Sequence, residues 1–490
     1  MQDFVFILIF VAVIGLGPRM LNIDGDLGRH LTVGQYILDK RVIPVNDIFS
    51  FTKPGDPLTP HEWLAQLSFA IAYRIAGLNG VVWLCAILLG MTFALLFRLC
   101  FKLSNSPLGS FVIVILAAAA SSLHWLTRPH LFTMFFFVIW VYLLEQLRNG
   151  KSNLWWGLPL VMLLWVNTHG AFIAGFVALF AYLAGQGWDR YFKPVAPGGV
   201  ANPQWSGFLL GGAGALIVTI INPVGWKIWQ TSLGYIQNSY LVGHTAEYLP
   251  PNFHDVSTWP FLIMIFLTLV CFGLLRPQYP GALALMTAGW TVMALYSTRN
   301  IPLYAIAVAP GLALASHELK DLRHLSNYIN LDKKVSEADQ RLKGWVSPLI
   351  VILLVAIGLL WGMRLDFGGH GNEFSAEVFP VAAANWLDSN PQSGNGFNYF
   401  TWGGYLLYRF WPNLHVFIDG QTDFYGEQLT REYETVITEE DGWQAILDKY
   451  AIQWLILPSD LAFSKHILIN DQWNVLYQDD TSLILRKSQP

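Results

Sequence analysis

About eleven apolar stretches, each close to the roughly 20 residues a helix needs to cross a hydrocarbon core, must be accommodated before anything else in this chain. They lie near residues 3–22, 80–101, 109–126, 131–147, 154–168, 170–187, 206–222, 259–275, 281–297, 301–316 and 347–363. Backbone polar groups in lipid must be satisfied within the segment, so these stretches are expected to be helices. With 54% hydrophobic and only 13% charged residues in 490, the chain reads as a polytopic α-helical membrane protein. A net charge of −4 leaves no face-wide excess of Lys and Arg, which excludes a general nucleic-acid binder. Cys85, Cys100 and Cys271 all fall within spans and form neither a disulfide framework nor a Cys-based metal site. The first stretch lacks a basic leader and a small-residue cleavage site, so it reads as a retained signal anchor.

Positive charge in short loops marks the cytoplasmic side. One alternation satisfies it: with the amino terminus inside, Arg98 and Lys102, Arg148 and Lys151, Arg190 and Lys193, and Arg276 all fall inside. So does the segment 317–345, with its six Lys and Arg residues. This requires that "HEWLAQLSFAIAYRIAGL", His61 to Leu78, lie along the outer surface, since its apolar run is short and Arg74 interrupts it. A true span there would give twelve crossings and break the pattern downstream. Residues 1–364 are then the transmembrane domain, with 23–79 as a first outer loop carrying a surface helix, and 365–490 an outer domain.

The outer helix ends collect the unusual polar residues. They comprise "DGDLGRH" after the first span, "HEW", "TRPH" at Thr127 to His130, "NTHG" at Asn167 to Gly170, "INPVGWK" ending at Lys227, "GHTAEYLPP" with His244 and Glu247, and "TRNIP" with Arg299. Any one of these could be an interfacial anchor. Anchoring would dress both ends alike, however, and the inner loops carry only ordinary charges. Polar groups at membrane depth usually face a cavity or each other, so the asymmetry indicates an outward-facing cavity.

Three chemistries suit such a cavity: proton relay in a transporter, cation coordination in a channel, and group transfer from a lipid carrier. No halves repeat and no acid lies midway along a span, Glu145 falling near an inner end. Group transfer fits better. Asp24 and Asp26 put two carboxylates in one turn, where they could share a divalent cation or one could act as base toward an acceptor hydroxyl. Arg29, His30, His61, Arg128, His130, Asn167, His169, Lys227, His244, Glu247 and Arg299 are the candidate substrate-binding residues.

In the outer tail, "LHVFID", "IQWLIL", "WNVLY" and "SLILR" read as buried strands, and "FPVAAANWLDS" and "DGWQAILDKY" as amphipathic helices, giving a small α/β domain. Asp419 and Asp423 read as turn acids after a strand, with sugar or cation binding as the alternative.

The architecture resembles the GT-C superfamily of membrane glycosyltransferases that use polyprenyl-phosphate-linked sugars. "DLGRHLTVGQYILDKRVIPVNDIFSFTKPGDPLTPHEWL", with "FNYFTWGGYL" and "FIDGQTDFY" in the tail, is similar to an uncharacterised bacterial subgroup with an HEWL motif. The resemblance implies a GT-C-like transmembrane domain and an extracytoplasmic α/β domain in a bacterial plasma (inner) membrane. It implies that Asp24 or Asp26 is the loop acid serving as base or metal ligand, the metal being Mg or Mn, and that His61 and Glu62 open the loop's second helix. Many relatives continue with prolines there, whereas this chain has Glu62 and Trp63, so Glu62 is a third catalytic candidate. The implied partners are a polyprenyl-phosphate-linked sugar donor, membrane lipid, and a cell-envelope glycan, lipid or protein acceptor. The competing readings are a non-catalytic membrane protein whose outer domain binds a glycan or partner protein and, third, a transporter.

Overall fold

The computed structural model describes residues 1–192, 205–274, 279–318, 326–342, 346–360, 371–469 and 471–488. Lys193, Arg276 and the boundary expected at 364/365 lie outside the described residues. The chain opens with α1 (Gln2–Asn22), α2 (Asp26–Lys40) and α3 (Trp63–Ser104), then α4 (Pro107–Ser121), α5 (His130–Arg148), α6 (Gly157–Trp165), α7 (Ile173–Phe192) and α8 (Trp205–Val218). The short α9 (Lys227–Gln237) and α10 (Ser239–His244) precede α11 (Trp259–Leu274), α12 (Gly281–Tyr296), α13 (Ile301–Glu318), α14 (Ser326–Leu342) and α15 (Val346–Leu360). In the tail, α16 (Val381–Ser389), α17 (Gly403–Phe410), α18 (Thr422–Ile437), α19 (Trp443–Lys449) and α20 (Ala462–Ile467) accompany a sheet.

Six helices among the described residues are long and apolar enough to cross a membrane: those spanning Gln2–Asn22, Trp63–Ser104, Pro107–His124, His130–Arg148, Gly170–Phe192 and Val256–Gly273. α8 and α12 are shorter apolar helices. The expected surface helix and the next span form one long α3, broken by non-helical backbone at Ala76 and Gly77. Gly77 takes φ +60°, a conformation that costs a side-chain-bearing residue, so the chain can turn there and start a second helical run. The first run packs on α2. Glu145, the acid nearest to a span interior, is fully buried, paired with Arg148 and hydrogen-bonded by the Tyr182 hydroxyl at 2.7 Å.

The tail sheet has the order β1 (Asn395–Asn398), β2 (Ile452–Pro458), β4 (Ser482–Lys487), β3 (Trp473–Gln478), with β1 parallel to β2 and the other pairs antiparallel. Three expected strands are present, and the two expected helices appear as α16 and α19. "LHVFID" is not a sheet strand. It runs extended beside the first outer loop, with Val416 N donating to Phe49 O at 3.1 Å and Phe51 N to Val416 O at 3.2 Å. Its backbone pairs with that loop while Val416, Phe417 and Ile418 pack against residues of β1, β2 and β4 such as Phe397, Leu455 and Ile484, so the apolar run is buried without joining the sheet, which is why periodicity alone misassigned it.

The tail and the first loop share a core in which Val33 and Ile37 of α2 and Phe49 pack with Phe379, Trp402, Leu406, Val416, Trp454 and Ile484. α2 and α17 approach backbone to backbone. A methyl group on Gly28 would overlap the Gly404 carbonyl, and one on Gly404 would overlap the Gly25 carbonyl. Beside this contact Arg29 is buried against Asp419, itself fully buried, with Gln421 as a second acceptor. The guanidinium also lies over the Phe49 ring, 5.2 Å from its centroid. Helix α2, which begins at Asp26, is thus held by the tail.

Candidate active site

The site grows from the junction of α1 and α2. Asp24 Oδ1 accepts from Asp26 N at 2.9 Å, a local turn that ends the first span and starts α2. Asp26 is the first residue of α2, where a carboxylate is favoured by the positive helix terminus. Across from it, the turn carrying Arg128 is tied to the end of α1, because Thr127 N and Oγ1 both donate to Met20 O, at 3.3 and 3.2 Å. Arg128 therefore meets the acids of the first loop. It ion-pairs with Asp26 and with Glu247, and its Nε lies 3.7 Å from Asp24 Oδ2.

Glu247 sits in a 3-10 turn (Ala246–Tyr248) fixed by Ser297, whose hydroxyl donates to the Glu247 carbonyl at 3.1 Å. Arg299 follows Ser297, lies over the Tyr248 ring, donates to the Tyr248 hydroxyl at 3.0 Å and approaches Glu247 at 3.7 Å. Burial works against ionising Glu247, but Arg128 and Arg299 outweigh it and bring its pKa down to about 2. Asp24 behaves oppositely. Burial, with Asp26 and Glu247 adding to it, pushes Asp24 up to about 6 against the pull of Arg128. Its Oδ2 is buried without a hydrogen-bond partner among the described residues.

A second group surrounds Glu62, the residue that caps α3. Three imidazoles converge on its carboxylate: His30 Nδ1 at 3.8 Å, His61 Nε2 at 3.8 Å and His169 Nε2 at 3.9 Å. His169 is oriented by Thr133. The Trp165 indole donates to Thr133 Oγ1 at 2.8 Å, leaving that hydroxyl to donate to His169 Nδ1 at 2.9 Å. His61 Nδ1 lies 3.6 Å from Asp423 of α18 and 3.1 Å from Thr59 O. Burial disfavours charge on His61, yet Asp423 and Glu62 overcome it and raise its pKa, whereas burial prevails at His30 and lowers its pKa. Arg299 links the two groups, its Nη2 lying 3.4 Å from His169 Nε2.

Asp24, Asp26, Glu62, His30, His61, Arg128, His169, Glu247 and Arg299 are therefore brought together. Other expected residues do different work. Arg29 pairs with Asp419, not with the first-loop acids. Asn167 is a strut, accepting from the Trp63 indole at 2.7 Å and donating to the Leu163 and Ile221 carbonyls, both at 2.9 Å. His130 Nε2 is engaged by the His124 carbonyl at 2.5 Å. His244 is exposed, stacked on Tyr240 and 3.9 Å from Glu434 of the tail. Lys227 is exposed, with its backbone N donating to Val224 O at 3.3 Å. The functional reading of the sequence missed Thr133 and Tyr248 and gave Asp423 a turn role; the "FIDGQTD" motif was the available signal. That motif lines the site closely enough that a methyl on Gly420 would overlap the Asp26 carboxylate.

As for a divalent cation, Asp24 Oδ2 is an orphaned oxygen that would suit one, but the Arg128 guanidinium already lies among the carboxylates that would share it. Among the described residues no group of three His, Cys, Asp or Glu side chains is arranged to hold a metal ion.

No protein-family model and no curated protein matches this sequence. Solved structures do. The Archaeoglobus fulgidus oligosaccharyltransferase in its apo form is 12% identical with a TM-score of 0.63, covering 99% of this chain and 74% of that one. The same organism's archaeal oligosaccharyltransferase AglB, in complex with an inhibitory peptide and a dolichol-phosphate, gives 0.60 at 12% identity over 99% and 74%. ArnT from Cupriavidus metallidurans bound to undecaprenyl phosphate gives 0.51 at 14% identity over 98% and 97%. The fold is the one these oligosaccharyltransferase and ArnT structures share. At these identities the likeness establishes the fold alone, and the site must speak for the chemistry.

Proposed function

We propose that this chain is a membrane glycosyltransferase, moving a sugar from a polyprenyl-phosphate-linked donor to an extracytoplasmic cell-envelope glycan, lipid or protein. The observation that carries the reading is the union of an Asp24 carboxylate poised near neutrality with the cations Arg128 and Arg299 and three imidazoles, on a fold whose solved examples hold dolichol-phosphate and undecaprenyl phosphate. Asp26 is paired with Arg128, and Glu247 with Arg128 and Arg299. Asp24 Oδ2 accepts no hydrogen bond and has only the Arg128 Nε at 3.7 Å beside it, which makes Asp24 the base in this reading. Its Oδ2 takes the acceptor hydroxyl proton as the acceptor oxygen attacks the anomeric carbon from the face opposite the phosphate. The bond from that carbon to the phosphate oxygen breaks, its electron pair leaves on the lipid phosphate, and configuration inverts. Arg299 and His61 would meet the charge developing on that phosphate. Glu62 orients the imidazoles.

This reading places the chain in a bacterial plasma (inner) membrane with the amino terminus inside and the site and tail outside, as the loop charges indicate. It also favours the HEWL-containing subgroup. The test is transfer of labelled sugar from undecaprenyl-phosphate-linked donors in proteoliposomes holding the full chain. The expected result is a new glycosidic bond with wild type and loss with Asp24→Asn. Flux of substrate without a new bond would make it a transporter, and binding alone would make it a non-catalytic receptor.

A further inference from the structure

We propose that Arg128 is the resident cation of this site, standing where the paired acids would otherwise hold a divalent metal. The proposal rests on the group-transfer reading for its meaning, but its geometry stands independently. Arg128 addresses three carboxylates from two separate segments. One terminal nitrogen meets Asp26, the other meets Glu247, and Nε faces Asp24 at 3.7 Å. A guanidinium presents five donors in a planar fork and keeps its charge at any physiological pH, so it can bridge several carboxylates as a metal ion does. The Arg128 side chain is only 26% exposed, which leaves that charge weakly screened.

The surrounding charges disfavour adding an ion. The three carboxylates face Arg128, and Glu247 also faces Arg299 at 3.7 Å, so two fixed positive charges already serve three negative ones. A divalent cation entering beside Arg128 would meet like charge within a few ångströms, and it would have to displace the guanidinium to gain enough oxygen ligands. The arginine gives a fixed link instead. It joins the first loop to the Ala246–Tyr248 turn through side-chain contacts and is itself held by the Thr127 contacts to Met20. In the proposed reaction it sets the two acids apart, bonding to Asp26 while standing 3.7 Å from Asp24, and adds to the positive potential offered to the donor phosphate.

The test reads metal binding directly, using Mn²⁺ alone, on the full chain in detergent micelles followed by electron paramagnetic resonance. Wild type should take up no stoichiometric Mn²⁺. Arg128→Ala should gain one bound Mn²⁺ per chain, because it uncovers the carboxylates, and adding Asp26→Asn should abolish that gain. One Mn²⁺ bound by wild type and lost in Asp26→Asn would overturn the proposal, and so would a folded Arg128→Ala that binds none. If Arg128→Ala does not fold, wild-type melting decides: no shift between Mn²⁺ and EDTA supports the proposal, and stabilisation by Mn²⁺ that Asp26→Asn removes overturns it. None of these readouts needs transfer activity, so failure of the function reading would be seen separately.

Discussion

Replacing Arg29 by Met strips a fully buried carboxylate of its counter-ion. Asp419 is 0% exposed and Arg29 3%, so water cannot take the place of the guanidinium. What remains to Asp419 is the Tyr425 hydroxyl at 3.2 Å and the Gln421 amide at 2.9 Å. Breaking a buried pair from one side costs about 3–5 kcal/mol, and these two neutral donors place this case toward the lower end. Replacing both partners by apolar residues, Arg29→Met with Asp419→Leu, removes the buried charge as well and should restore most of the loss. Unfolding of the full chain in detergent, followed for the four members of this double-mutant cycle, provides the measurement. Because the pair ties α2 to the tail, Arg29→Met should also increase proteolytic nicking between α1 and the tail sheet. A loss below about 1 kcal/mol for Arg29→Met, or a double variant no more stable than the singles, would refute the claim that this pair fastens the tail to the catalytic loop.

Other consequences follow from the same geometry. Asp24→Asn should lower transfer by about 10²–10⁴-fold, the usual worth of a positioned base, with little change in thermal stability. Wild-type transfer should fall as pH drops below about 6, where Asp24 takes up its proton, and a pH–rate profile checks this. Glu247, brought from 4.5 down to about 2 with Arg128 and Arg299 overcoming burial, contributes stability that is present above pH 4.5 and lost as pH falls toward 2. Glu247→Gln should flatten that acid limb in a melting series. Gly420→Ala should displace the Asp26 carboxylate and reduce kcat more than it reduces stability, which steady-state kinetics beside a melting curve will separate.

The helical stretches and the polar cluster were legible because each depends on local facts. Apolar length marks a helix, and Asp24, Glu62, Arg128, His169, Glu247 and Arg299 stand near helix ends, where separate helices can bring them together. Partner choice was not legible. Arg29 and Asp419 are 390 residues apart, and nothing in the sequence near Arg29 says that its side chain turns away from Asp24. Asn167 and His130 carry the residue types of a site, yet their polar atoms satisfy helix-end groups, a use with the same composition. In the tail, "LHVFID" has the makings of a strand, but the first loop supplies its partner. β1 is short and lies in "NGFN", too brief to show a period of two. In the proposed reaction the choice of Asp24 over Asp26 as base rests on Arg128, which bonds to Asp26 while Asp24 Oδ2 has no hydrogen bond.

The central claim is that this outward cluster handles a sugar carried on a polyprenyl phosphate. Mass spectrometry of lipid co-purifying with the full chain tests it most directly. A polyprenyl phosphate or its sugar-linked form bound to wild type, and lost on Arg299→Ala, is the predicted result. Bulk glycerophospholipid alone, identical in both proteins, would contradict it.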